Sequence, residues 1–358
     1  MKKLRVGILG ATGMVGQRFI TLLSKHPWFE VVVVAASHAS RGKKYFNAVD
    51  DRWKMDQRIP ENVSDLIVKA VEEDMEEIAS KVNFVFSALD MDKEIIKRIE
   101  NRYADFEVPV VSNNSAHRWT EDVPMIIPEV NSLHIQLIEI QRKNHGWKKG
   151  FVAVKPNCSI QSYVAILTAL KRFKPLKVSV VSLQAISGAG KTFENWSEMV
   201  DNVIPFIKNE EEKSEKEPMK IWGKISNGKL ELAQLPQISA TCIRVPVTNG
   251  HMVNCTVLFE KRPNREEIQE AVKNYDNPLS GLGLPTAPKE LIRFFDEEDR
   301  PQTKLDRNSE GGMGITMGRL RQDNLFHWKF VALSHNTIRG AAGGAILLAE
   351  LLKAKGYL

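Results

Sequence analysis

Cysteine is scarce in this chain: three residues in 358, at Cys158, Cys242 and Cys255, with no CxxC pair and no even-numbered framework. That excludes a disulfide-stapled scaffold, suits a reducing compartment and gives no reason to expect a metal centre. Long apolar runs are missing as well. None approaches the ~20 residues of a membrane span, so no membrane partner is expected. The opening MKKLRVGILG sets basic residues before apolar ones, but glycines interrupt the run before a signal-sequence core is complete. A soluble, cytoplasmic protein is the expectation. Blocks of one charge sign are also lacking: 50 Lys and Arg interleave with 44 Asp and Glu. No basic block alternates with aromatics, so no nucleic-acid partner is expected, and the net charge of +6 better suits an anionic small molecule.

What is present is enough chain for two cores. Residues 4–9 read as a buried strand, followed at once by GATGMVG over 10–16 and a helical stretch from Gln17. Glycines between a strand and a helix let backbone approach a pyrophosphate, whose charge the helix N-terminus favours. Gly10, Thr12, Gly13, Met14 and Val15 are therefore candidate dinucleotide contacts, although the GxxGxxG spacing departs from the usual fingerprint. A second strand, 31–36, ends at Ser37. An NAD-selective site places an acid there for the ribose diol, whereas this chain continues Ser37, Ser40, Arg41, Lys43. Hydroxyls and cations accept a 2′-phosphate, so NADP is the expected cofactor. Residues 68–81 read as an exposed helix. Further strands at 82–86 and 108–111 end in Ser87-Ala88-Leu89 and in Ser112-Asn113-Asn114, and the alternation implies parallel βαβ units with ligands beyond the strand ends. For Ser87, Asn114 and Arg118 a turn or capping role is equally compatible.

The stretch FVAVKPNCSIQSYVAILTALKRF, 151–173, sets Cys158 where a strand gives way to a helix, with Asn157 able to cap the first amides. A helix N-terminus favours a thiolate, and a nucleophile needs that setting. A buried structural cysteine remains the competing reading. A strand over 177–185 leads into SGAGKT, where Ser187 and Gly188 open a glycine-rich loop. A phosphate-loop reading fails because Ala185 stands where that pattern needs glycine. The run KNEEEKSEKE, 208–217, reads by composition as a solvated helix or loop. Strands 238–244 and 251–259 flank a Pro and Asn-Gly turn, which brings Arg244 and His251 to one end of a strand pair. A guanidinium suits a carboxylate and an imidazole suits proton transfer, though a satisfied core histidine and a surface ion pair fit equally at this point. From Thr337 the chain reads as a helix rich in small residues. A dinucleotide, a thiolate and an imidazole in one site imply oxidoreduction at the acyl level.

The segments GATGMVG, SHASRGK, SNNSAHRW, VKPNCSIQ, SGAGK, EEEK, RVPVTNGHMVN and HNTIRGAAGGA resemble, in order and over nearly the whole chain, the aspartate-semialdehyde dehydrogenase family, and more closely its archaeal and fungal branch. The resemblance implies an α/β fold with a Rossmann-like NADP-binding domain at 1–155, completed by a C-terminal helix at 337–358. It implies an α+β catalytic and dimerisation domain with a mixed sheet at 156–336. It implies NADPH-dependent reduction of β-aspartyl phosphate to aspartate semialdehyde with release of phosphate, in lysine, threonine and methionine biosynthesis. Cys158 then resembles the nucleophile and His251 the acid/base. Arg244, Gln161, Glu210, Lys213, Arg118 and Asn114 resemble substrate contacts, and Asn336 a nicotinamide neighbour. A homodimer or homotetramer is implied. Related folds acting on N-acetylglutamyl phosphate or malonyl-CoA are the alternatives, together with a non-enzymatic NADP-binding sensor.

Overall fold

The computed structural model describes residues 2–358. Strands β1 (Leu4–Leu9), β2 (Phe29–Ala36), β3 (Lys69–Ala70), β4 (Phe84–Ser87), β5 (Val110–Ser112) and β6 (Val152–Val154) form one sheet in the order β3-β2-β1-β4-β5-β6. Every pairing in it is parallel. Parallel sheets need cover on both faces, and these strands are apolar on both. Val6, Ile8, Val34, Phe84 and Phe86 join one core with the helices Met14–Leu23 and Gly343–Ala354. Leu9, Val33, Ala35 and Val85 join the other with Met75–Lys81 and Lys93–Asp105. The chain's last helix thus returns to its first sheet. Its Glu350 is tied there by His26 Nε2 at 2.8 Å and by the Thr286 amide at 3.0 Å.

The later strands are β7 (Pro175–Gln184), β8 (Lys224–Ser226), β9 (Lys229–Glu231), β10 (Gln237–Arg244), β11 (His251–Phe259), β12 (Ile292–Phe294), β13 (Ile315–Gln322) and β14 (Trp328–Ser334). β8 and β9 pair only with each other, and the rest form a mixed sheet in the order β10-β7-β11-β14-β13-β12. β10 runs parallel to β7, whereas β11 runs antiparallel to both β7 and β14. β7, β10 and β14 therefore finish at the end where β11 begins.

Four readings need correction. β10 and β11 are not paired: β7 lies between them, and the 245–250 link crosses its end, held by Ile186 N–H to the Val247 carbonyl at 2.9 Å. Arg244 and His251 still reach one sheet end, but through that crossing. Residues 68–81 contain β3 and a turn before the helix starts at Met75, because the first of them complete the sheet beside β2. The helix after Cys158 is broken into a 3₁₀ turn, Ser159–Ser162, and a short α-helix, Val164–Ala169, although Ile160, Tyr163, Val164, Leu167 and Leu170 are all buried as the spacing requires. The terminal α-helix begins at Gly343 and not Thr337. Ile338–Ala342 forms a wider π-type turn, bent at Ala341 (φ −143°, ψ −108°), in a stretch whose glycines disfavour regular helix.

Candidate active site

The backbone after β6 is held from behind. Lys155 N–H bonds to the Ser112 carbonyl at 2.9 Å, and the Asn157 amide donates to Glu217 Oε2 at 2.7 Å. Asn157 Oδ1 accepts from the Ser159 amide at 2.8 Å and from its hydroxyl at 2.6 Å, so the expected cap is present. Cys158 opens the turn, and it alone of the three cysteines is not fully buried. Gly340 backs it so closely that an added Cβ would lie 2.7 Å from Cys158 Cβ. The expected thiolate bias of a helix start is outweighed. Burial pushes the thiol pKa up, Glu210 adds to that, and only then do Lys155, Arg118 and Lys213 pull it down. A single 3₁₀ turn supplies too little dipole to reverse that order.

His251, wholly buried, opens β11, and the Cys158 turn packs against β11 and β14. The His251 Nδ1 accepts the Ala185 N–H at 3.1 Å. That bond needs a lone pair on Nδ1 and so sets the proton of the neutral ring on Nε2. Burial and then the Arg244 charge hold its pKa down to about 3, against the Glu210 charge and the neighbouring Gly250 carbonyl, which weigh the other way. Nε2 has no partner. Arg244 Nη1 donates to the Ala185 carbonyl at 2.7 Å, so one residue at the end of β7 orients both side chains. A Cβ on Gly188 would lie 3.0 Å from His251 Nε2 and 3.0 Å from Arg244 Nη1, which places both polar tips beside that glycine turn. Asn336 closes the ring, donating to Ser187 Oγ at 2.9 Å and accepting from the Gly250 amide at 2.8 Å.

The acidic run is not a solvated loop. It forms the helix Glu210–Ile221, which turns Glu210, Ser214, Glu217 and Ile221 inward at helical spacing. Glu210 meets Lys213 Nζ at 2.6 Å and Asn157 Nδ2 at 3.1 Å, with its second oxygen unpartnered. Glu211 accepts from the Cys242 amide and Glu212 pairs with Lys216 on the outside, so Glu210 is the member of the triplet that faces Cys158. Gln161, buried, donates to the Asn157 carbonyl at 3.2 Å. Arg118 is buried with Nη1 on Glu217 at 2.9 Å and Nε on the Lys155 carbonyl at 3.2 Å, which leaves one edge of its fork for a ligand.

Asn114 lies elsewhere, at the end of β5, where its Nδ2 reaches Ser87 Oγ and Glu100 at 2.9 Å each. Glu100 is fully buried, holds Ser112 as well, and has its pKa raised by burial. Sequence reasoning missed Lys155, Glu217 and Glu100. The signal for Glu217 was its seven-residue spacing from Glu210, which an apolar period does not register. The other two carry no comparable mark.

A cleft of about 380 Å³ runs along the carboxyl ends of the parallel sheet, lined by Gly10, Thr12, Gly13, Ser37, His38, Ala88 and Leu89. Gly10 has φ +82°, and a Cβ there would strike the Ala88 carbonyl at 2.4 Å; a Cβ on Gly16 would strike the Gly10 carbonyl at 2.2 Å. Gly13, by contrast, is exposed at the start of the first helix with nothing nearer than 3.6 Å to an added Cβ. These are the conditions under which backbone amides can meet a pyrophosphate. Met14, Val15 and Ser87 border that cleft without lining it. Ser40 is tucked under its turn, whereas Arg41 and Lys43 are exposed. Arg41 pairs with Asp74, and Glu72, Glu73 and Asp90 add acids to the cleft that the Ser37–Lys43 loop does not reveal. The Ile338–Ala342 turn touches both the first helix and the Cys158 turn and so brings the two regions together.

Two family models match the chain: "Semialdehyde dehydrogenase, NAD binding domain" over residues 5–138 and "Semialdehyde dehydrogenase, dimerisation domain" over residues 167–339. An aspartate-semialdehyde dehydrogenase of Archaeoglobus fulgidus is 44% identical, covering 97% of each chain. One of Schizosaccharomyces pombe is 43% identical, covering 99% of each. A crystal structure of the Candida albicans enzyme with NADP superposes with a TM-score of 0.88 over the full length of both chains at 39% identity. The likeness spans the parallel sheet, the mixed sheet and the segments that meet between them, and this chain belongs to the aspartate-semialdehyde dehydrogenase family.

Proposed function

We propose that this enzyme reduces β-aspartyl phosphate to aspartate semialdehyde with NADPH, releasing phosphate, with Cys158 as the nucleophile. The observation that carries the reading is the one cysteine with solvent access, at the head of a turn packed against β11, the strand that opens with an imidazole whose Nε2 has no partner among the described residues. In the reductive direction Cys158 Sγ bonds to the acyl carbon, the acyl–oxygen bond to phosphate breaks, and a thioester remains. NADPH, when bound, would supply the hydride that takes that thioester to a thiohemiacetal, whose C–S bond then breaks to free the aldehyde and return the Cys158 thiolate. His251 directs its Nε2 proton toward the reacting oxygen and sulfur, and its neutral ring survives at physiological pH because burial keeps it uncharged. Arg244 suits the substrate α-carboxylate and Glu210 its ammonium, while Lys213 and the free edge of Arg118 suit the phosphate. Gln161 orients the substrate and Asn336 borders the nicotinamide.

For the cofactor, the glycine cleft fits a pyrophosphate and the Ser187–Gly188 turn fits the nicotinamide end. Ser37, Lys43 and the unpaired part of Arg41 suit a 2′-phosphate, with the Arg41–Asp74 pair reducing what Arg41 has to offer. The boundary between the nucleotide domain and the catalytic domain falls near Lys155, after β6. A homodimer or homotetramer assembled through the second domain agrees with the exposed Val200, Val203, Phe206, Leu232 and Leu235, and sedimentation tests it. The purified protein should form NADPH from aspartate semialdehyde, NADP and phosphate. Cys158→Ser should abolish that turnover and leave NADPH binding intact; a Ser variant that keeps turning over refutes the mechanism. Coenzyme A in place of phosphate tests the thioester-forming alternative.

A further inference from the structure

Glu217 joins two parts of the site that have to meet when phosphate reacts with an acyl group on Cys158. It is 1% exposed and lies seven residues after Glu210 on the same helix. Its Oε1 accepts from Arg118 Nη1 at 2.9 Å, and its Oε2 accepts from the Asn157 amide at 2.7 Å, one residue before the nucleophile. Arg118 Nε donates to the Lys155 carbonyl at 3.2 Å. The guanidinium is therefore tied twice to the stretch 155–157, once directly and once through the carboxylate. That closed ring leads straight into Cys158, and Arg118 Nη2 is left without a partner among the described residues.

The rest of this helix holds the same two parts. Lys220, buried, directs all three ammonium donors at backbone: the Arg118 carbonyl at 2.7 Å and the Thr120 and Val123 carbonyls at 3.0 Å each. Ser214 Oγ lies 3.1 Å from Ser159 Oγ, and the Ser214 carbonyl accepts from the Tyr163 hydroxyl at 2.6 Å. One helix thus grips Arg118 by side chain and main chain and also grips the turn that Cys158 opens. We propose that Glu217 is a positioning residue that fixes the free edge of Arg118 relative to Cys158, so that phosphate meets the acyl-enzyme at one place. Glu217 touches no substrate, and the proposal rests on Arg118 being a phosphate contact.

The side-chain chemistry makes the bridge specific to a carboxylate. Two donors approach Glu217, and each of its oxygens accepts from one of them. An amide of the same shape offers one oxygen and one NH2. Glutamine at this position can satisfy Arg118 or the Asn157 amide, but the other partner then faces a second donor. The ring opens whichever way the amide turns. Aspartate keeps the charge opposite Arg118 but is one methylene too short to span both partners.

The test is phosphate-dependent NADPH formation in a double-mutant cycle of wild type, Glu217→Gln, Arg118→Met and the two changes combined. Glu217→Gln should raise KM for phosphate about tenfold or more, the worth of one hydrogen bond to a charged group, and leave KM for NADP within about twofold. In the Arg118→Met background the same change should move KM for phosphate by less than about twofold, because a residue that acts through Arg118 then has nothing to act on. Equal effects in both backgrounds, or an unmoved phosphate KM in Glu217→Gln, overturn the proposal. Glu217→Asp is the second variant, since it leaves no buried guanidinium without a counter-charge and so spares the fold. It should raise KM for phosphate about threefold or more, and an unchanged value again overturns the proposal. If Arg118→Met raises KM for phosphate and Glu217→Gln does not, this inference alone fails; if Arg118→Met leaves it unchanged, the phosphate reading of Arg118 fails with it.

Discussion

Gly188→Ala isolates the geometry around His251 and Arg244 from the stability of the fold. The new Cβ would stand 3.0 Å from His251 Nε2 and 3.0 Å from Arg244 Nη1. Relaxed contact of this kind is about 3.5 Å, so one or both tips must move by about 0.5 Å. Neither has an easy escape. The imidazole is fully buried and held by the Ala185 amide, and the guanidinium is held by the Ala185 carbonyl at 2.7 Å. A misplacement of about 1 Å can cost about 10²-fold in rate, so half of that implies about tenfold, or about 1.4 kcal/mol of barrier. Gly188 is exposed and its φ is not in the left-handed region, so its backbone accepts alanine, and the up to about 1 kcal/mol gained by restricting the unfolded chain offsets part of the about 1–3 kcal/mol cost of displacing the two tips, leaving the fold intact with a small change in Tm. The assay pairs kcat/KM for phosphate-dependent NADPH formation with thermal unfolding. Activity within about twofold of wild type at an equal Tm would refute the placement of the two tips at the reacting centre.

Three further outcomes follow from the same contacts. Glu217→Ala strands the buried Arg118 charge and releases the Asn157 amide, and should lower stability by about 3–5 kcal/mol, read from urea unfolding. Gly340→Ala drives a methyl to 2.7 Å from Cys158 Cβ, so iodoacetamide labelling and turnover should both collapse while NADPH binding at the 10–16 loop persists. Acid should destabilise the fold below about pH 6.5: His117, with a pKa lowered to about 4, and His251 and His335, at about 3, stay neutral when folded but take up protons when unfolded. Stability is thus fully present above pH 6.5 and is lost toward the folded values by up to about 1.4 kcal/mol per pH unit per histidine; His117→Gln should shallow that slope, and an unchanged slope would contradict the burial argument.

The parallel sheet was readable because buried strands leave continuous apolar runs, and β1 is found with the bounds its sequence implies. Glycine was equally legible, since Gly10 and Gly16 each occupy a place that a Cβ would close. Strand neighbours were not. The order that inserts β7 between β10 and β11 depends on a crossing connection, and local turn chemistry at Pro246 and Asn249-Gly250 reads the same whether the strands pair directly or flank a third. Likewise, pattern alone made 337–358 one helix, because glycine and alanine permit a helix without requiring one. Proximity to Cys158 agrees with the wider turn at 338–342, and that constraint is tertiary.

The helix Glu210–Ile221 shows why the site itself was only half visible. Its inward positions recur at helical spacing, but three of the four are polar, so an apolar moment finds no buried face. Burying Glu210 and Glu217 is unfavourable unless cations and amides are waiting, and those partners, Lys213, Arg118 and Asn157, come from three different segments. A residue's charge is local information, whereas its neutralisation is not. Charged runs that alternate at helical period therefore merit a second reading wherever a strand-end nucleophile precedes them, with the acids assigned inward and tested against the cations upstream. Applied to this chain, that rule selects Glu210 and Glu217 over Glu212 and Lys216, which pair with each other outside.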